Sequence, residues 1–467
     1  MKTQEMLATE PIGKLLIKYS VPAIIGMIVN ALYNVVDRIF IGNIPEVGNL
    51  AIAGVGVTMP IMTIILAFGM LIGIGATSNI SIKLGQGKRD EAEKIIGHVI
   101  SLSLIIGVAL SVLGIIFGEN ILNLFGASEG TLYYAKSYIY IILAGTTFSI
   151  LAFSLNNTIR ADGNPRLAAT IMVVGCLTNI VLDALFIFKF NMGIQGAAYA
   201  TVISQIITAI WALYYYASGK SNLKLRKSSL KLDKKLVGVI FAIGISPFMM
   251  QIATSLVQVI ANNSLKAYGG DLAIGAMATI SSITLLFLMP IFGIDQGAQP
   301  IIGFNYGAKQ YDRAHKAVKL SMIAATTILA IAAMATQLFP EVIIGMFNKD
   351  PKLMEVAVRG VRMYLLMLPI IGISIAGSDF ILAIGKAKLA MGLSILRQVV
   401  ILIPIMLVLP RFLGLDGVWI SQPISDIVAT IITVIIVIKQ MKSVKKNSIT
   451  KDEISNSKLD VAVSTEG

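Results

Sequence analysis

Charge is scarce in this chain. Asp, Glu, Lys and Arg make up 13% of its 467 residues, against about a quarter in an ordinary soluble domain, and that deficit excludes a solvated globule. The one cysteine, Cys176, excludes an intramolecular disulfide, and there are only two histidines, His98 and His315. With so few nucleophiles and soft ligands, no catalytic constellation can be assembled at membrane depth, and the chain is not expected to be an enzyme. The full G-x-x-x-x-G-K-[ST] phosphate loop of an ATP-driven pump is absent. The opening residues also lack the compact apolar core and cleavage site of a signal peptide, so the first span is expected to be retained.

Apolar residues dominate instead, at 56% of the chain with a mean hydropathy of +0.82. Long apolar runs predict twelve membrane spans, near 17–41, 52–82, 95–117, 132–159, 167–188, 193–217, 236–267, 276–306, 316–341, 357–384, 389–410 and 414–438. The fold class is therefore an all-α polytopic membrane protein with no separate soluble domain. The net charge of +13 does not point to nucleic acid, because most Lys and Arg fall in alternate connections. This positive-inside bias is expected to place both termini in the cytoplasm, with the spans in the lipid bilayer and the basic linker a solvated segment.

The sequence is written twice. "GATSNISIKLGQGKRDEA" from Gly75 and "GAQPIIGFNYGAKQYDRA" from Gly297 share Gly75/Gly297, Ala76/Ala298, Gly85/Gly307 and Asp90/Asp312 at one offset. Gly163/Gly385 keep that offset, and Gly193/Gly414 and Gly196/Gly417 shift it by one residue. Such self-similarity is an internal duplication. Six spans per copy, an even number, bring both copies into the membrane the same way up. The expected architecture is two six-helix lobes related by a pseudo-two-fold axis along the membrane normal. Its parts are a first lobe at 1–218, a basic cytoplasmic linker at 219–235, a second lobe at 236–441 and a disordered tail at 442–467.

Polar residues inside the spans are the candidates for function. "NALYNVVDRIFIG" carries Asn30, Asn34 and Asp37 on one helical stripe, and a mid-membrane acid costs about 2.5–3.5 kcal/mol unless it faces protein, water or a ligand. In "LTNIVLDALF", Asn179 and Asp183 lie one turn apart. Thr201, Asn156 and Asn157 fall at comparable depth. Carboxylate, amide and hydroxyl oxygens are the hard ligands of a sodium site, and the acids equally suit a proton. The second copy lacks these groups: Asn262 stands opposite Asp37, and Ile401 and Ile405 opposite Asn179 and Asp183. Its own acids are Asp295, Asp379 and Asp426. Asp295 is the expected substrate contact in a central cavity, with Gln251, Gln258 and Asn262 on one stripe and Met289 as a soft lining group. Asp379 and Asp426 lie near estimated span ends and suit structural hydrogen bonding. Prolines 22, 60, 247, 290, 369 and 404 are expected to bend helices.

These residues resemble a known family. "VPAIIGMIVNALYNVVDRIFIG", the paired "GQGKRDEA" and "GFNYGAKQYDRA", and "RADGNPRLA" are similar to the multidrug and toxic compound extrusion (MATE) family, in particular its bacterial MepA-like branch. The resemblance covers residues 10 to 440. It implies a bacterial plasma-membrane antiporter that expels small lipophilic, often cationic compounds in exchange for Na+ or H+, with no cofactor besides that ion and a monomer sufficing. It also implies that Asp37, Asn179, Asp183 and Thr201 bind the coupling cation, with Asn34 and Asn157 as neighbours, and that Asp37 and Asp183 hold Na+ if sodium is the ion. A flippase of lipid-linked substrates is the alternative for such a fold; it calls for basic groups in the cavity, and Arg38, Arg362 and Arg397 are few, isolated or near span ends.

Overall fold

The computed structural model describes residues 2–45, 47–125, 127–346 and 351–465, and among them there is no β-strand. A short amphipathic helix, α1 (Lys2–Thr9), precedes the first lobe, which is α2 (Ile12–Gly42), α3 (Gly48–Gly85), α4 (Arg89–Leu124), α5 (Glu129–Ala161), α6 (Pro165–Ala184) and α7 (Gly193–Ala217). The second lobe begins with α8 (Lys234–Gly270) and α9 (Leu272–Gly307), joined through Gly270 at a φ of 64°. It continues with α10 (Tyr311–Leu338), a short α11 (Pro340–Gly345), α12 (Pro351–Tyr364), α13 (Leu368–Ala383), α14 (Ala387–Leu413) and α15 (Leu415–Thr465).

Eleven of these helices are long and apolar enough to cross a membrane, and α12 with α13 forms a twelfth span bent by 51°. Long helices are what lipid imposes, because each backbone N–H and C=O must find its partner within the segment. The tenth span is bent next to Pro369, as expected: that proline sits in the first turn of α13 and the chain unwinds ahead of it. Residues 442–465 follow on from the last span as part of α15. Pro22, Pro60, Pro247 and Pro290 remain inside helices.

The duplication is visible in the backbone. Gly163 and Gly385 both take positive φ, 94° and 79°, in the turn after the fourth span of each lobe, and Gly193 and Gly414 do so at 55° and 59° after the fifth. An L side chain is strained there, which accounts for the identical glycines. Each fifth span also contains a π-helical stretch, Leu185–Lys189 and Leu396–Leu402.

Glycines let the lobes touch. A Cβ on Gly85 would overlap the Phe304 carbonyl, and one on Gly307 the Ile82 carbonyl; Gly75 meets Ile240 and Gly244 meets Leu71 in the same way. Gln299 Nε2 donates to Ser78 Oγ (2.8 Å), Asn79 Nδ2 to the Val239 carbonyl (3.2 Å) and Ser20 Oγ to the Ile294 carbonyl (3.3 Å) across the same surface. Phe68 and Phe248 meet edge to face at 5.0 Å. These contacts all lie in the half of the bundle nearer the 219–235 linker, so that end is sealed.

The linker is docked on the first lobe. Asp162, 1% exposed, accepts from Tyr215 Oη (2.5 Å) and from the backbone N–H groups of Asn222 (2.9 Å) and Leu223 (2.8 Å). Arg226 pairs with Asp90 (3.0 Å) and the buried Glu93 (2.8 Å). His98, also buried, donates from Nδ1 to the Lys94 carbonyl and accepts the Asp233 N–H at Nε2, each at 2.8 Å, which orders the N-cap residue of α8. Burial pushes the Asp162 carboxyl up to about 6, against the donors that favour its ionised form. A raised acid binds its proton more tightly in the folded than in the unfolded chain. Its stabilising effect is therefore complete below its ordinary value of 3.8 and is lost as the pH rises through 6. The difference in unfolding midpoint between wild type and Asp162→Asn is expected to shrink between pH 4 and 7; a difference that grows over that range contradicts this account.

Candidate functional site

The first lobe holds a cavity of about 320 Å³ between α2, α3, α5 and α7, lined by Tyr33, Asn34, Asp37, Arg38, Tyr138 and Gln205 together with apolar groups that include Met59 and Met62. At its inner wall the carboxyl groups of Asp37 (8% exposed) and Asp183 (fully buried) face each other within hydrogen-bonding reach. Helix spacing brings this about: Tyr33 and Asp37 share one stripe of α2, and Asn179 and Asp183 share one stripe of α6. With the Asn179 amide oriented by its neighbours, Nδ2 donates to Asp183 Oδ2 (2.8 Å) and Oδ1 accepts from Thr201 Oγ1 (3.2 Å) on α7. The Tyr33 and Tyr138 phenols lie beside Asp37, Asp183 and Thr201.

One oxygen of each acid, Asp37 Oδ1 and Asp183 Oδ1, is buried without a hydrogen-bond partner. Two adjacent carboxylates in a low-dielectric setting resist ionising together unless a positive charge joins them. The donor set is entirely hard oxygen, which suits sodium or a proton and not a soft metal. Among the described residues no three His, Cys, Asp or Glu side chains converge, so the cluster has no more than two charges to offer.

Asp37, Asn179, Asp183 and Thr201 are thus gathered in one place, and two expected neighbours are not. Asn34 is exposed and its Nδ2 donates to the Asn30 carbonyl (2.7 Å), leaving it at the cavity lining. Asn157 is turned along its own helix: Nδ2 donates to the Phe153 carbonyl (2.9 Å) and Oδ1 accepts from the buried Arg160 (3.0 Å). The expected substrate residues are dispersed. Gln258 and Asn262 are exposed on α8, Gln251 is half-buried, Met289 is buried, and none of them lines the first-lobe cavity. Asp295, 5% exposed, faces Asp379 of α13 within hydrogen-bonding reach, a pairing that the sequence did not suggest. Tyr33 was findable, one turn before Asp37 in the quoted segment; Tyr138, Gln205, Met59 and Met62 carried no distinguishing signal.

Two six-helix lobes with acids buried in the interior of each are the build of a multi-pass membrane transporter. The MatE family profile matches residues 22–185 and 247–408, one stretch in each lobe, and the chain belongs to that family. It is similar to multidrug export protein MepA of Staphylococcus haemolyticus (strain JCSC1435), with 27% identity over 439 residues, 94% of this chain and 96% of that protein. It is also similar to MepA of Staphylococcus aureus (strain MRSA252), with 26% identity over the same shares. Among solved structures, the outward-facing conformation of a multidrug resistance MATE family transporter of the MOP superfamily matches at a TM-score of 0.90, 24% identity and 96% and 99% coverage of the two chains. A MOP superfamily transporter from Pyrococcus furiosus Vc1 (DSM3638) matches at 0.90 and 24%, covering 95% and 99%. Those two likenesses establish the fold.

Proposed function

We propose that this protein is a secondary active multidrug exporter of the bacterial plasma membrane, exchanging small lipophilic, cationic compounds for Na+ or H+ by alternating access. The observation that carries the proposal is the Asp37–Asp183 pair, set among Asn179, Thr201 and two tyrosines beside a first-lobe cavity. An inward-moving cation neutralises the pair, and an organic cation in the cavity competes for the same charge. Exchange follows when each ligand favours a different opening of the lobes. The MepA relatives, by name multidrug exporters, support the substrate class. The basic linker and its neighbouring connections support placing the sealed end and both termini in the cytoplasm, with the chain acting as a monomer.

The test is release of a fluorescent lipophilic cation from proteoliposomes under an imposed sodium or proton gradient. Dye movement driven by one gradient and collapsed by its dissipation is the expected result, and the effective gradient names the ion. Dye movement indifferent to both gradients overturns the antiporter, and no dye movement at all redirects the search to lipid-linked substrates.

A further inference from the structure

The second lobe carries a polar cluster between its fifth and sixth spans, the helix pair that in the first lobe carries Asn179, Asp183 and Thr201. The register that pairs Ser204 with Ser425 pairs Thr201 with Gln422 and Gln205 with Asp426. Both clusters lie between the fifth and sixth spans of their lobe, and each has a tyrosine of the fourth span beside it, Tyr138 in one and Tyr364 in the other. In the second lobe Gln422 Nε2 donates to Asp426 Oδ1 (3.1 Å) and Oδ2 (3.2 Å), and Tyr364 Oη reaches Gln422 Oε1 at 3.5 Å. Asp426 is 2% exposed, as enclosed as the acids of the first lobe, though it stands in register with Gln205 and with neither of them.

The difference is the source of positive charge. Arg397 of α14, whose side chain is 17% exposed, sets Nη2 3.0 Å from Asp426 Oδ1, and Ser425 Oγ bonds the Arg397 carbonyl (3.0 Å), which ties the two helices at that point. The first-lobe residue in register with Arg397 is Gly175, which supplies nothing. We propose that Arg397 is a tethered counter-ion occupying the cleft between the fifth and sixth spans of the second lobe, the cleft that in the first lobe adjoins the cation cluster, so that no small monovalent cation binds beside Asp426. Removing the guanidinium leaves Asp426 and Gln422 as a site for sodium or a proton. This inference rests on reading the first-lobe cluster as a cation site. Its chemistry is ordinary for buried charge: an enclosed carboxylate takes whichever cation is within reach, and a covalently attached one excludes all others.

The experiment is done on the full-length protein in detergent, with the first lobe silenced by Asp37→Asn and Asp183→Asn. Bound sodium is counted by equilibrium binding of radiolabelled sodium at pH 8.5, and bound protons by potentiometric titration between pH 5 and 9. With Arg397 present the silenced protein sets the baseline, which includes any cation held by the Asp295–Asp379 pair and none at Asp426. Adding Arg397→Gln is expected to bring one sodium or one titrating proton per chain, and adding Asp426→Asn to remove it again. A silenced Arg397→Gln protein that gains neither overturns the proposal. Should Arg397→Gln not fold, Asp426→Asn in the otherwise native chain decides: the number of ions moved per substrate is expected to be unchanged, and a reduced number overturns the proposal by making Asp426 a working site. Failure of the first-lobe reading is distinguishable, because there the native and silenced proteins bind the same number of cations whatever stands at position 397.

Discussion

Asp183→Asn and Asp37→Asn, made singly, are each expected to lower gradient-driven export at least ~100-fold while the protein remains folded. Opposite unit charges about 4 Å apart interact by about 4 kcal/mol at an effective dielectric of 20, and each 1.4 kcal/mol is a factor of about ten in affinity. Losing one of two carboxylates therefore weakens cation binding by several hundredfold or more. Folding does not suffer in the same way. The amide at 183 keeps an oxygen for Asn179 Nδ2 and turns a donor toward Asp37, replacing two mutually repelling acids with a hydrogen-bonded pair. The unfolding midpoint in ion-free buffer should equal or exceed that of the wild type, and its dependence on the coupling ion should vanish. Variants that remain fully coupled move the site elsewhere, and Asp295 facing Asp379 is then the next pair to neutralise.

The spans and the duplication were legible because each rests on a local rule. Apolar runs of membrane length leave few alternatives, and the identical glycine pairs mark backbone that no other residue suits, as at Gly163 and Gly385. The core of the site was legible for the same reason, since Asn179 and Asp183 one turn apart must share a face. What depended on side-chain direction or on partners distant in sequence was not. Asn157 sits at a suitable depth, yet Arg160 nearly one turn on claims its oxygen. Arg397 reads as isolated along α14, and its partner lies on α15. Asp379 reads as a span-end acid until α13 is packed against Asp295 on α9. Glycine-to-backbone crossings close the linker end between the lobes, and the cavity inside the first lobe is an addition to the central one that the two-lobed plan led us to expect.

Those crossings lead to the second large effect. Gly85→Val and Gly307→Val are each expected to cut turnover ~10-fold or more without touching the Asp37–Asp183 cluster. The two glycines are a duplicated pair, and each lies against a carbonyl of the other lobe, Phe304 for Gly85 and Ile82 for Gly307. A valine there collides with backbone, which cannot rotate away as a side chain can, and overpacking of this kind costs about 1–3 kcal/mol. The cost falls only on the conformation in which the linker end is sealed, because separating the lobes removes the collision. A change of that size moves a two-state equilibrium by about one to two powers of ten toward the separated state. Ser78, buried at the seal against Gln299, provides the readout. A cysteine placed there is expected to react with a membrane-impermeant thiol reagent from the linker side much faster in Gly85→Val than in the glycine background, in step with the lost turnover. Equal labelling with lost turnover would mean that the valine acts by disrupting the lobe itself and not by holding the seal open.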